Sequence, residues 1–280
     1  MSSPGVGTHR IATVAPVSDV PTQPDGPLVI AHRGSSFLKA EHTIDAYRQA
    51  IADGADALEC DARLTSDGVL VCLHDRRIDR TSDGRGVVSS KTYAELSERD
   101  FRSWKGVDAA EVADGGGLMT LRALVELVLA ADRPVGLSIE TKHPVRYAGL
   151  VEERVMDMLH RYDLLTRKPD RPRVRLMSFS EVALRRVYEI APGLETVFLM
   201  ERVPMRARTG WPPSNARIAG PGIHIIRAHP HYVDRVHSAG RKVHVWTVDE
   251  PEDIDLCVKL GVDAIITNRP RVALERLGRS

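Results

Sequence analysis

The chain has 280 residues, 42% of them hydrophobic and 28% charged, with 39 Lys and Arg against 38 Asp and Glu for a formal net charge of +1. This is enough chain to bury a large core, in one big α/β domain or two small ones. The interspersed, balanced charges leave no basic stripe, so no nucleic-acid partner is expected.

The first 27 residues, "MSSPGVGTHRIATVAPVSDVPTQPDGP", read as a Pro-rich disordered leader. Their short apolar patch at 11–17 is interrupted by Pro16 and follows no basic cluster, so a secretory signal is the weaker reading. No apolar run approaches the roughly 18 to 20 residues of a membrane-spanning helix, and no integral membrane segment is expected. Cys60, Cys72 and Cys257 sit in apolar or helical contexts and read as reduced packing residues of a cytoplasmic protein.

From residue 28 short β-branched runs alternate with helical patterns. Strands are expected at 28–32, 57–64, 69–74, 135–140, 174–179, 196–200, 218–225 (the weakest), 243–248 and 264–267. Helical stretches such as "TIDAYRQAIADG", "SEVALRRVYEIAP" and "EPEDIDLCVKLG" lie between them, opened by Thr, Ser or an acid and several closed by Gly. Strand then helix over roughly 250 residues points to a TIM (β/α)₈ barrel spanning 28–280. A doubly wound sheet fits less well, because no glycine-rich phosphate loop follows the first strand and polar residues recur at strand C-termini. The turn-rich stretch 76–120 breaks the rhythm and reads as a small insertion after the second strand region, starting at the mouth of the barrel. Its arginines and its Phe101 and Trp104 are expected to shape a substrate pocket.

The chemistry follows from alternation. In "ADALECDARL" Glu59 and Asp61 share one strand face while Leu58, Cys60 and Ala62 share the other. The apolar set must pack under helices, so both carboxylates point into the barrel. In "PVGLSIETK" Leu137 and Ile139 likewise face out, and Glu140 and Lys142 face in. Three convergent carboxylates, with only Arg63 as an inward arginine to neutralise them, suit a hard divalent cation, Mg²⁺ or Ca²⁺. The bland alternative for each acid alone is a strand-end salt bridge.

His32 and His74 each end a strand beside these acids, where a pair of imidazoles can move protons near neutral pH. Arg33 and Lys142 add fixed positive charge suited to phosphate oxygens. Acid, base, metal and phosphate clamps together describe phosphoryl-group hydrolysis. On the strand "VHVW" Trp246 lies nearer the mouth and reads as pocket wall, with His244 in the core. His224, His229, His231 and His237 have no zinc-like spacing and read as surface.

The ordered set "AHRG", "EHT", "ECDARLTSDGVLVCLHD", "RTSDGRG", "ETKHP" and "VHVWTVDEPEDIDLCVKLGVDAIITNRP" resembles the glycerophosphodiester phosphodiesterase family over residues 28 to 270. The resemblance implies metal-dependent cleavage of a small-molecule glycerophosphodiester to glycerol 3-phosphate and an alcohol. It implies His32 and His74 as the acid/base pair, and Glu59, Asp61 and Glu140 as the Mg²⁺ or Ca²⁺ ligands. Arg33, Lys142 and Trp246 take substrate-binding positions. By analogy with related phosphodiesterases, His32 is the base and His74 the acid. Glu41 is expected in a supporting role, orienting Arg33 or a metal-bound water.

Two positions depart from the pattern, His42 where the family has asparagine in "ENT" and Asp249 where it has asparagine in "WTVN". Both are expected to leave the residues assigned chemistry untouched and to affect only the supporting network and substrate preference. Two further readings remain open from sequence: a phospholipase D-like enzyme acting on lysolipids, and a catalytically silent barrel used as a binding protein.

Overall fold

A computed structural model describes residues 26–106, 117–143, 148–168 and 171–279. The expected leader thus lies almost wholly outside the described residues, as does part of the expected insertion.

Among the described residues nine strands form one sheet: β1 (Leu28–Ala31), β2 (Ala57–Leu64), β3 (Leu70–Cys72), β4 (Gly136–Thr141), β5 (Val174–Ser178), β6 (Glu195–Met200), β7 (Ile218–Pro221), β8 (Lys242–Val245) and β9 (Ala264–Thr267). Its order, β1-β9-β8-β7-β6-β5-β4-β2-β3, is closed by a β1–β2 pairing. Eight strands therefore make a parallel TIM barrel. β3 stands outside it, paired antiparallel to the last residues of the long β2, with Ala62 opposite Cys72. Among the described residues nine α-helices accompany the strands: α1 (Ile44–Ala52), α2 (Tyr93–Ser97), α3 (Leu121–Leu129), α4 (Leu150–Arg161), α5 (Glu181–Ile190), α6 (Ile223–Ala228), α7 (Tyr232–Ser238), α8 (Pro251–Lys259) and α9 (Pro270–Arg276). Hydroxyls at their N-termini satisfy free amides, as Thr43 does for Ala46, Thr120 for Ala123 and Ser180 for Ala183.

Alternation sorts the core into two layers. Val29, Leu58, Cys60, Leu137, Ile139, Leu176, Val243 and Ile265 pack outward under the helices. Ile30, Ala57, Met177, Val197, Leu199, Ile218, Ala264 and Ile266 fill the barrel interior. The three cysteines are buried and unbridged. Nearer the N-terminal ends of the strands the interior is charged: Glu195 pairs with Arg173 and with Arg175, the latter at 3.3 Å.

The strand expected over 218–225 is shorter, because Gly222 caps a helix, α6, that takes the rest. The described part of 76–120 builds its own small core, in which Ile78, Val88, Leu96 and Phe101 pack with Val71 and Leu73 of β3 and its exit. Phe101 is thus a core residue and is not pocket-lining. No helix among the described residues is long and apolar enough to cross a membrane.

Candidate active site

The C-terminal ends of the barrel strands surround a cavity of about 150 Å³ lined by His32, Arg33, Glu59, His74, Glu140, Lys142, Met177, Phe179, Leu199, Glu201, Trp246, Thr247 and Ile266. Register explains the convergence. Asp61 stands opposite Glu140 across β2 and β4, while Glu59 lies two residues earlier on the same face. Backbone geometry at the first loop does the rest. The turn "HRGSS" reverses the chain tightly, with Gly34 at φ +85°, where an added Cβ would sit 2.6 Å from the Ala46 carbonyl carbon. Arg33 and His42 hold positive φ, 59° and 60°, a conformation non-glycine residues adopt at a cost and one that tends to mark functional loops.

One ligand oxygen from each of Glu59, Asp61 and Glu140 lies within 4.8 Å of the others, and all three residues are buried. Their cationic neighbours are closer than alternation alone indicated. Lys142 Nζ is 2.8 Å from Glu140 and 3.2 Å from Asp61, and Arg33 Nε is 3.2 Å from Asp61. The expectation that Arg63 is the only inward arginine to neutralise the acids is therefore corrected: Arg33 does so beside the expected Lys142, while Arg63 donates twice to the His74 carbonyl, at 2.9 and 2.6 Å.

The acids nonetheless hold more charge than they can carry. Burial opposes ionisation of Asp61, but Lys142, His42 and Arg33 outweigh it and hold its carboxyl well below the usual range. Burial and the Asp61 charge then push Glu59 well up and Glu140 up to about 8. Asp61 Oδ1 accepts no hydrogen bond within the described residues and has only the Lys142 ammonium, 3.2 Å away, as an ion-pair partner there. An all-oxygen, buried, over-acidic set fits a hard divalent cation, which would take the place of the protons on the two glutamates.

The two histidines differ in their partners. His32 Nδ1 bonds Asn268 Oδ1 at 2.8 Å, with Nε2 4.0 Å from Glu59. Burial, and then the Arg33 charge, lower its imidazolium to about 3. His74 Nδ1 bonds the Asp75 carboxylate at 2.7 Å, and burial, helped by Arg33 and Lys142, lowers it from the ordinary histidine value. Glu41 accepts from Arg33 Nη1 at 3.1 Å and from both terminal nitrogens of Arg80, at 2.9 and 2.7 Å. Arg80 also reaches Asp75 at 2.7 Å. Although burial works against it, these arginines hold the Glu41 carboxyl at about 2. One chain of ion pairs thus runs from His74 through Asp75, Arg80 and Glu41 to Arg33. Through Arg80 the 76–120 segment touches the site, but none of its described residues lines the cavity.

The two departures are not remote. His42 Nε2 lies 2.8 Å from Asp61 Oδ2, and Asp249 binds Asn268, the partner of His32. The expectation that both leave the assigned residues untouched is corrected for His42, which contacts Asp61 directly; Asp249 acts one residue removed. Asn268 and Phe179 escaped the sequence reading. Phe179 stacks edge-on against Trp246, ring centroids 5.4 Å apart, and its position one residue past β5 was its only signal. Trp246 anchors its indole by donating to the Gly220 carbonyl at 2.7 Å.

Residues 32–272 match the profile of the glycerophosphoryl diester phosphodiesterase family. The probable glycerophosphodiester phosphodiesterase 1 of Mycobacterium tuberculosis (strain H37Rv) is 45% identical over 246 residues, covering 87% of this chain and 90% of that one. The glycerophosphodiester phosphodiesterase of Bacillus subtilis (strain 168) is 32% identical over 255 residues, 88% of this chain and 85% of that one. Among solved structures, a phosphodiesterase of Oleispira antarctica in complex with sn-glycerol-3-phosphate superposes with a TM-score of 0.75 at 23% identity, covering 90% of this chain and 97% of that one.

Proposed function

Because the chain belongs to the glycerophosphoryl diester phosphodiesterase family, we propose that it hydrolyses glycerophosphodiesters to glycerol 3-phosphate and an alcohol, with His32 and His74 as its acid/base pair. The observation that carries this reading is the meeting in one cavity of two histidines, two of the three clustered carboxylates and two cations.

Glu59, Asp61 and Glu140 would hold Mg²⁺ or Ca²⁺, which when bound supplies Lewis-acid polarisation of a phosphoryl oxygen. Arg33 and Lys142 are anchored by carboxylates on one side and open to the cavity on the other. They bind the anionic diester and oppose the charge that builds on its oxygens as the leaving group departs. His32 is suited to be the base: burial keeps it neutral, and the neutral amide at its Nδ1 leaves Nε2 as the acceptor. His74 is suited to be the acid, since Asp75 stabilises its imidazolium and an anion bound between Arg33 and Lys142 offsets their repulsion. Trp246 and Phe179 form an apolar wall for the organic part of the substrate. The unbridged cysteines support a reducing, cytoplasmic setting.

The test is release of glycerol 3-phosphate and choline from glycerophosphocholine, with and without a chelator. Metal-restored release of both products is expected; no release from any glycerophosphodiester under metal-replete conditions would refute the reading.

A further inference from the structure

Asp249 lies outside the cavity, yet it ends a directed run of hydrogen bonds that begins at His32. Its Oδ1 accepts from the Thr267 hydroxyl at 3.0 Å and from the Asn268 backbone amide at 2.8 Å. Its Oδ2 accepts from Asn268 Nδ2 at 2.6 Å. A carboxylate can only accept, so the Asn268 amide has one allowed orientation, NH₂ toward Asp249 and oxygen toward His32. That oxygen, 2.8 Å from His32 Nδ1, can also only accept. The neutral imidazole must therefore carry its proton on Nδ1 and its lone pair on Nε2. Ser36 Oγ, 2.7 Å from both Asn268 Oδ1 and the His32 carbonyl, ties the same amide to the loop.

We propose that Asp249 is a positioning residue: through the Asn268 amide it selects the tautomer of His32 whose Nε2 can take a proton from the attacking oxygen. The inference rests on the reading of His32 as base. It assigns a reason to a carboxylate at 249, since the pair 249/268 needs one carboxylate and one amide to orient the ring. Exchanging the two residues preserves that complementarity, because a carboxylate at 268 accepts from Nδ1–H as the amide oxygen does. Changing either alone destroys it.

In Asp249→Asn the new amide keeps its oxygen on Thr267 and the backbone and turns its NH₂ toward that of Asn268. The Asn268 amide then flips, presents NH₂ to Nδ1, and the ring proton moves to Nε2. Asn268→Asp alone sets two carboxylates face to face. The experiment measures ¹⁵N shifts of the His32 ring in metal-free protein, at a pH where the ring is neutral, together with steady-state kinetics. Expected are an Nδ1–H ring in wild type and in Asp249→Asn/Asn268→Asp, and an Nε2–H ring in Asp249→Asn. The single variant should lose kcat by about 10²-fold with KM little changed, the size of one general acid–base contribution, and the double exchange should recover it. An unchanged tautomer in Asp249→Asn overturns the proposal, as does a double exchange that fails to restore the ring. A flipped ring with undiminished kcat supports the positioning and overturns the assignment of His32 as base, so the two failures are distinguishable.

Discussion

His42 Nε2 donates to Asp61 Oδ2 across 2.8 Å, while its Nδ1 lies 2.8 Å from the hydroxyl of the buried Tyr47. A loop residue at positive φ thereby fixes the rotamer of a carboxylate in the candidate metal site. Partners of ligands commonly alter metal affinity 10- to 100-fold, so His42→Ala is expected to raise the Mg²⁺ or Ca²⁺ concentration for half-maximal activity by about that factor. His42→Asn, which retains a donor, should lose less. A metal titration identical to wild type in both variants would show that the contact is structural only.

Burial and the Asp61 charge keep Glu59 and Glu140 protonated when no cation is bound, so an amide in place of either should separate stability from activity. Glu59→Gln and Glu140→Gln are expected to match or exceed wild type in metal-free thermal stability while losing turnover. Wild type should gain about 2.7 kcal/mol at a metal concentration of 100 Kd, and the variants should gain far less at the same concentration. Full wild-type activity after exhaustive chelation would dispose of the metal site.

Burial that keeps His32 neutral, against the Asp75 carboxylate that stabilises a protonated His74, divides their roles. Each alanine substitution should cost on the order of 10²-fold or more in kcat on choline esters. His74→Ala should recover most of its loss on a p-nitrophenyl ester, whose leaving group needs no proton, whereas His32→Ala should not. Equal losses on both substrates would reverse or dissolve the assignment.

His244 is buried inside the barrel; burial, then the charges of Arg175, Lys242 and Arg173, hold its imidazolium well below the ordinary histidine value. The unfolded chain titrates near 6.5, so above that pH neither state gains a proton there and the site costs nothing. Below it the unfolded chain binds a proton that the native site refuses, and stability falls by up to about 1.4 kcal/mol per pH unit. Denaturant unfolding of wild type and His244→Gln between neutral and mildly acidic pH should show a steeper acid loss for wild type; parallel curves would contradict this.

Much of the site was legible in sequence because its directions are set by local backbone geometry. Strand alternation alone aimed Glu59, Asp61 and Glu140 inward and sent Leu58, Cys60 and Ile139 under the helices. Repetition of strand and helix implied the barrel, and with it the end where His32 and His74 would meet. What lies off the strands followed no such period. Arg33 and His42 point where they do because the loop takes positive φ, and Glu41 meets Arg80, 39 positions further on, only where the chain after β3 folds into a separate small core. The bond from His32 to Asn268 joins residues 236 apart and exists because barrel closure lays β9 beside β1. Side-chain periodicity is a property of neighbouring peptides, so the chain carries it openly. The choice of which loop side chains touch, and therefore which proton His32 carries, belongs to the closed barrel.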